Sequence, residues 1–365
     1  VAVAFCISGH GFGHASRQVE VINAFGTLCP HEPIHVFTRA SRWLLERTIR
    51  VPVTIVEQAV DSGAIQQDSL RLDIPATLDA ATQFEARADA RAVTLASEFR
   101  GRGVRVAVCD APPMPCSAAR LAGVPAVVLS NFTWDWIYDD FTVDHPGFED
   151  LPSRLGARYA DAAVAWRLPM SGGFATVRTV LDFPWIARRS RRDATDTRRH
   201  IGADDTRPLV LISFGGYGVS GMSLAHHAGA PYRLVLAAGA EHAETDAPPD
   251  ALRLDRDRLD AMGLRYEDLV AACDVVVSKP GYGIVSECVA NRTALLYTSR
   301  GRFREYPVMV EQMPAVLRCG YLENAALSTA RWDADIEALL AQPEPVERPL
   351  VNGADVAAGM LAAML

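Results

Sequence analysis

The chain reads as an α/β protein made of two doubly wound, Rossmann-like domains facing a cleft. Three observations predict this. Its 365 residues are enough for two domains of ordinary size. Short β-branched runs alternate with longer helical segments, the pattern of a parallel sheet covered on both faces. The alternation stops at an arginine-rich stretch, residues 187–199, and then starts again.

In the first half, strands are expected at Val1–Ile7, Ile34–Thr38, Val53–Glu57, Val104–Cys109 and Ala126–Ser130. Helices are expected between them, at Ser16–Leu28, Ser41–Thr48, Leu78–Arg100 and Cys116–Ala122. Residues 187–199 read ARRSRRDATDTRR, with six arginines and few apolar side chains. This fits a solvated linker, with an anion-binding strip as the alternative. Beyond it, strands are expected at Leu209–Phe214, Arg233–Ala237, Val275–Ser278 and Ala294–Tyr297. Helices follow at Tyr266–Ala272, Ile284–Ala290, Val308–Arg318 and Asp333–Ala341. The division is a first domain over 1–186, a linker over 187–207 and a second domain over 208–352. A last helix within 353–365 is free to pack back on the first domain. In sheets of this kind, ligands sit outside the carboxyl ends of the strands.

Composition narrows the function. Apolar residues make up 49% and charged residues 22%, as in soluble globular proteins. The formal charge of −8 and a pI of about 5.6 argue against nucleic-acid binding. No apolar run approaches the ~18 residues of a transmembrane helix, so no stable membrane insertion is expected. Val1–Ile7 lacks a basic flank and a cleavage pattern, so it reads as a strand and not as a secretory leader. The seven cysteines are odd in number and form no CxxC pair. Free thiols, a cytoplasmic location and no metal site are therefore expected. Of 36 basic residues, Lys279 is the only lysine. A lysine kept where arginine is otherwise used fits a need for a compact, mobile ammonium.

Three glycine-rich turns follow expected strands. Ser8–His14 reads SGHGFGH and opens a helix, so Gly11 and Gly13 let backbone amides approach a diphosphate. His10 and His14 lie in it, where an imidazole suits a general base or a phosphate contact. On the second domain, Gly215 and Gly216 occupy the counterpart position. The third turn, Ser278–Glu287, reads SKPGYGIVSE. Gly281 and Gly283 place helix amides at the cleft, Ser278 and Lys279 end the strand, and Glu287 lies one turn into the helix, where it suits ribose hydroxyls. Two further strand-end loops belong to the first domain. Residues 61–67 carry Asp61 and Gln66, and residues 131–138 carry Asn131, Trp134, Asp135 and Trp136. The second reads as an aromatic platform for an acceptor, with an inter-domain packing plug as the alternative.

Together SGHGFGH, SKPGYGIVSE and FREYP (residues 303–307) resemble the GT-B glycosyltransferases, around the lipid-II-forming N-acetylglucosaminyltransferases and the diacylglycerol sugar transferases. GHGFGHASR, DSGAIQQDS, NFTWDWIY and the late Val351-Asn352-Gly353 look nearer still to the N-terminal, glycosyltransferase-like half of the plant L-arabinokinases. The sugar-kinase half of that family is expected to be absent. The resemblance implies a GT-B fold and a donor site mainly on the second domain. Glu287 would hold ribose, Lys279 and Ser286 the diphosphate, and Arg304 and Glu305 the donor sugar. Arg304-Glu305-Tyr306 stands where many relatives carry paired glutamines, so the donor sugar stays open.

The expected activity is metal-independent, inverting transfer from a UDP-sugar to a small-molecule acceptor, with no cofactor beyond that co-substrate. His14 ranks first as base, with Asp61 and Asp135 next, and Arg17 assists the leaving diphosphate. His10, Gln66, Asn131, Trp134 and Trp136 are the acceptor-side candidates. An epimerase or hydrolase acting on a nucleotide sugar, and a binding module without catalysis, are the other readings on the same fold.

Overall fold

The computed structural model describes residues 1–203, 206–215, 218–237 and 246–365. Among these, the first sheet holds β1 (Ala2–Ile7), β2 (Ile34–Thr38), β3 (Thr54–Glu57), β4 (Val104–Asp110), β5 (Ala126–Phe132), β6 (Val164–Gly172) and β7 (Val180–Asp182), in the order β3-β2-β1-β4-β5-β6-β7. The second holds β8 (Leu209–Ile212), β9 (Arg233–Ala237), β10 (Leu252–Leu254), β11 (Val275–Ser278), β12 (Ala294–Tyr297) and β13 (Cys319–Tyr321), in the order β10-β9-β8-β11-β12-β13. Neighbouring strands are parallel in both. Strand order reverses between β1 and β4 in one sheet and between β8 and β11 in the other. Those two switch points are where a doubly wound sheet opens a crevice.

The covering helices of the first domain are α1 (Gly13–Leu28), α2 (Arg42–Thr48), α3 (Ile74–Glu85), α4 (Ala88–Gly101), α5 (Met114–Ala122), α6 (Trp134–Thr142) and α7 (Leu151–Tyr159). Those beyond it are α8 (Ala194–His200), α9 (Arg256–Ala261), α10 (Tyr266–Ala272), α11 (Tyr282–Asn291), α12 (Glu305–Val316), α13 (Ala326–Thr329), α14 (Asp333–Leu340) and α15 (Gly353–Ala362). Every residue of β1 is buried, which is why its sequence is a continuous apolar run and not an alternating one.

The structure departs from the sequence reading in several places: helices α6, α7, α9 and α13 were not expected, and α6 starts inside the strand-end loop expected at 131–138. Strands β6, β7, β10 and β13 were not expected: β6 carries Arg167 and Pro169, and the other three have only three residues each. The expected helix over Leu78–Arg100 is two helices. Asp73 starts α3 early by accepting from the Ala76 amide at 3.0 Å, and the chain turns at Ala86–Arg87. The buried Glu85 carboxylate ties that corner to α7 through Arg158. The segment 187–207 is also not simply a solvated linker. It forms α8, and Arg198 bonds the Ala272 carbonyl at 2.7 Å and Asp274 at 2.8 Å.

One apolar cluster runs from β1, α1 and α15 into α10, α11 and α12, so the two lobes share a seam. Trp185, just before the linker, stacks on Tyr282 of α11 at 5.7 Å. Helix α15 lies against α1 and completes the first domain from the end of the chain. Gly353 makes this docking possible. A Cβ there would stand 2.5 Å from the Pro184 carbonyl oxygen and 2.6 Å from Ile186. Gly353→Ala is therefore expected to destabilise the protein by about 1–3 kcal/mol, the usual cost of overpacking. A melting temperature unchanged from the parent in thermal denaturation would contradict this account of α15.

Candidate active site

A cavity of about 460 Å³ lies between the lobes, over both switch points. Its first-domain wall is the β1–α1 loop, from His10 to His14. Its second-domain wall is built from Ser213, Phe214 and Gly215 after β8, Ser278, Lys279, Gly281 and Gly283 around the start of α11, and Arg300 and Glu305 after β12. Gly216 lies outside the described residues. The N-termini of α1 and α11 meet here. A Cβ on Gly283 would be 3.2 Å from the Gly13 Cα, a tight contact, so glycine here lets the two helix ends approach closely without crowding. Both ends carry unsatisfied amides and a partial positive charge.

Behind the first-domain wall lies Asp110, the last residue of β4 and fully buried. Arg17 reaches it from α1, with Nε donating to Oδ2 at 2.6 Å and Nη2 donating to Oδ1. Gln18 adds a donor at 3.0 Å. The His14 Nδ1 lies 2.9 Å from Asp110 Oδ1. Arg17 Nη2 is also 2.9 Å from that Nδ1, but its two hydrogens serve Asp110 and Ser130. An ionised carboxylate needs a donor, so Nδ1 carries the proton and Nε2 is left as the basic nitrogen. Burial alone would raise the Asp110 carboxyl, but Arg17 and then His14 outweigh it and hold it at about 2.

Arg17 is thereby committed. It also donates to the Asn131 side-chain oxygen at 2.7 Å and lies over the Tyr282 ring at 5.0 Å. It lines the cavity, but four of its five hydrogens are spent within the protein, which leaves one on Nη1. Asn131 donates in turn to Glu305 across the cleft at 2.6 Å, and Glu305 accepts from Arg300 at 2.7 Å. Arg300 stacks on Phe303 at 3.9 Å.

Lys279 differs from these groups. Among the described residues, its ammonium has no ion pair and no hydrogen bond. Burial first and Arg300 second push it down to about 7, against Glu305 and Asp68. A mostly enclosed cation without a counter-ion, beside two helix N-termini, is half of an anion site.

Glu287 also faces the cavity, but not as a free carboxylate. Arg188 of the linker donates to it from Nε at 2.7 Å and lies over Tyr266. Burial pushes Glu287 up to about 7 although Arg188 opposes the rise. The second oxygen of Glu287 remains for a ligand.

Several expected site residues sit elsewhere. Arg304 turns away from the cavity to hold α6, donating to the Trp136 carbonyl at 2.8 Å and to Asp139 at 2.6 Å. Trp136 packs on Gly172, where a Cβ would stand 2.3 Å from its ring, and lies under Arg304. Trp134 is buried, stacks on Tyr138 at 5.2 Å and donates to Asp61 at 2.9 Å. These rings are the packing plug and not an open platform. Asp135 faces α7 near Gly156 and, like Trp134, does not line the cavity. The Ser286 hydroxyl donates to the Gly283 carbonyl at 2.9 Å, inside its own helix. Asp61 lines a neighbouring cavity, while His10 and Gln66 line both. The His10 ring donates through Nδ1 to the Ala64 carbonyl at 3.0 Å. Burial, with His14, Lys279 and Arg300 adding to it, holds this imidazole well below its usual range, so it is neutral.

The sequence reading missed Asp110, Arg188 and Arg300. Asp110 left a trace, as a lone carboxylate directly after the apolar run of an expected fourth strand. Arg188 and Arg300 left none in a chain this rich in arginine.

No known family profile matches the chain. It is 28% identical to L-arabinokinase from Arabidopsis thaliana over 365 residues, covering 98% of this chain and 34% of that protein. The chain thus spans about a third of that relative's length. Among solved structures it is similar to the glycotransferase of kitacinnamycin, with 14% identity, a TM-score of 0.64 and 100% and 99% of the two chains covered. It is also similar to VinC in complex with dTDP (16%, TM-score 0.56, 100% and 95%). UGT2 of Phytolacca americana, complexed with UDP-2-fluoro-glucose and pterostilbene, is similar as well (12%, TM-score 0.55, 100% and 94%). The chain has the GT-B architecture of these glycosyltransferases, two Rossmann-like lobes whose switch points face each other across one ligand-sized cleft.

Proposed function

We propose that the chain is a glycosyltransferase that moves a sugar from a nucleoside diphosphate, UDP in the first instance, to a hydroxyl of a small acceptor with inversion at the anomeric carbon. The observation that carries this reading is Lys279, an ammonium unpaired among the described residues beside two helix N-termini, in the same cavity as His14, whose ring is held from behind by Asp110. A diphosphate supplies the missing counter-charge. The dTDP held by VinC and the UDP-sugar held by UGT2 fit a site of this chemistry.

In this mechanism the acceptor hydroxyl gives its proton to His14 Nε2 as its oxygen bonds the anomeric carbon. The bond from that carbon to the diphosphate breaks, and the nucleoside diphosphate leaves with the electron pair. Asp110 keeps the imidazole in the required tautomer and stabilises the imidazolium that forms. Lys279 and the first amides of α11 meet the charge growing on the leaving group. The free oxygen of Glu287 is placed for the ribose. Arg300 and Glu305, rather than Arg304, are the residues near the sugar.

Calorimetry with UDP, followed by turnover assays over paired UDP-sugars and acceptors, tests the reading. A cleft that does not bind UDP sinks it. Free UDP formed without any acceptor points to a hydrolase, and binding without turnover points to a binding module. His14→Ala is expected to lower kcat by about 10²–10⁴-fold with little change in UDP affinity. Glu287→Ala should raise the donor KM more than it lowers kcat, since ribose is remote from the bond that breaks.

The pH dependence has a definite sign. Lys279 binds an anion best when protonated, and without ligand it loses its proton as pH rises through about 7. UDP affinity should therefore fall as pH rises through that range. Binding at about pH 8 should also take up protons, visible as a calorimetric heat that varies with the ionisation enthalpy of the buffer. In Lys279→Arg the dependence should flatten. Proton release, or none at all, would count against this assignment.

A further inference from the structure

We propose that the acceptor carries an oxyanion, a phosphate or a carboxylate, held by Arg39, Arg87 and Arg91 in a second cavity beside the reaction site. This rests on the glycosyltransferase reading and narrows its acceptor class. The second cavity, about 520 Å³, lies at the carboxyl ends of β1, β2 and β3, and His10 and Gln66 form the wall it shares with the main cleft. Arg39 follows β2 directly. Arg87 and Arg91 come from the corner between α3 and α4, where the helix expected to be continuous breaks.

None of these three guanidiniums has an ion pair or a side-chain hydrogen bond among the described residues. Arg91 lies over Phe84 at 4.6 Å, a contact that leaves its hydrogens free. The acids nearest in sequence are committed elsewhere, because Glu85 and Asp89 both bind Arg158. Arg87 occupies the N-cap position of α4, without a capping hydrogen bond from its side chain, and Arg91 lies about one turn on, so both residues stand near the positive end of a helix dipole. The acid in that first turn is Asp89, which pairs with Arg158. The carboxylate on the cavity wall is Asp61, which already accepts from Trp134. Three guanidiniums against one carboxylate make a positive pocket in a chain of net charge −8.

The geometry links this pocket to the chemistry. The His10 and His14 ring centroids are 6.4 Å apart. An acceptor whose anionic end lies among the arginines passes over neutral His10 and presents its hydroxyl to His14 Nε2. There its oxygen bonds the anomeric carbon, its proton passes to His14, and the nucleoside diphosphate departs with the bonding pair. Guanidinium forks suit phosphate and carboxylate oxygens equally, so the pocket selects the charge.

The test uses protein saturated with UDP, so that Lys279 is occupied. Phosphorylated, carboxylated and neutral forms of the same sugars and polyols are titrated, for example glucose 6-phosphate, glucuronate and glucose. An oxyanion-bearing probe should bind and its neutral parent should not, and the phosphate and carboxylate arms identify the source of the charge. Arg39→Gln, Arg87→Gln and Arg91→Gln should each weaken that probe about 10- to 100-fold, the range for one charge-assisted hydrogen bond, with UDP affinity retained. Neutral probes binding as well as anionic ones, no anionic probe binding at millimolar concentration, or full affinity in the triple variant would overturn the proposal. Absence of UDP binding removes the glycosyltransferase reading, and this proposal with it. UDP binding without the arginine effect removes this proposal alone.

Discussion

A carboxylate taken fully out of water persists only if cations and donors surround it, and the cleft is organised around one such group. Asp110 is buried at the end of β4 and held by Arg17, Gln18 and His14. The demand propagates. Arg17 engages Asn131, Asn131 crosses to Glu305 of the second lobe, and Glu305 binds Arg300 beside Lys279. This line of buried polar groups joins one switch point to the other. It fixes the imidazole that faces the cleft, and it ties the separation of the lobes to the same charge balance. Breaking one link strands a buried charge, so the network behaves as a unit.

The site is asymmetric in how well it is satisfied. Around Asp110 each charge has a partner. At Lys279, on the facing lobe, the positive charge has no ion pair among the described residues, and two glycine-opened helix ends add to it. Ala111 directly after Asp110 adopts φ +70, a strained value for alanine, as expected where surrounding packing imposes a geometry. The satisfied half fixes the His14 ring, and the other half keeps an uncompensated positive charge. In the proposed glycosyl transfer, preorganisation of this kind would let binding energy act on the leaving group without rearranging the protein.

The interface between lobes absorbs residues that look functional in isolation. Arg302 and Arg304 pair with Asp140 and Asp139 of α6 and with Asp144 just beyond it, and Ser69 in the first-domain loop donates from its amide to the Gly218 carbonyl at 2.9 Å. On the opposite rim, Arg256 lies over Trp43 at 3.9 Å. Aromatic and charged side chains close to a cleft serve to hold it shut as readily as to grip a ligand, and residue type alone does not separate the two uses.

The sequence by itself determined the two parallel sheets, because strands buried on both faces must be apolar throughout and glycine must mark the turns over the switch points. It also singled out His14, Lys279, Gly281, Gly283 and Glu287, since local strand–turn–helix spacing suffices to place them. Only the tertiary structure decided the rest. Asp110 joins His14 across 96 residues of chain, and Arg188 reaches Glu287 across 99. Arg304 and Glu305, adjacent in sequence, face opposite duties because α12 begins between them. Short polar or interrupted strands such as β6 and β7 form because a neighbouring strand supplies their hydrogen bonds. Pairings of that kind depend on which distant segments meet, and local pattern carries no record of them.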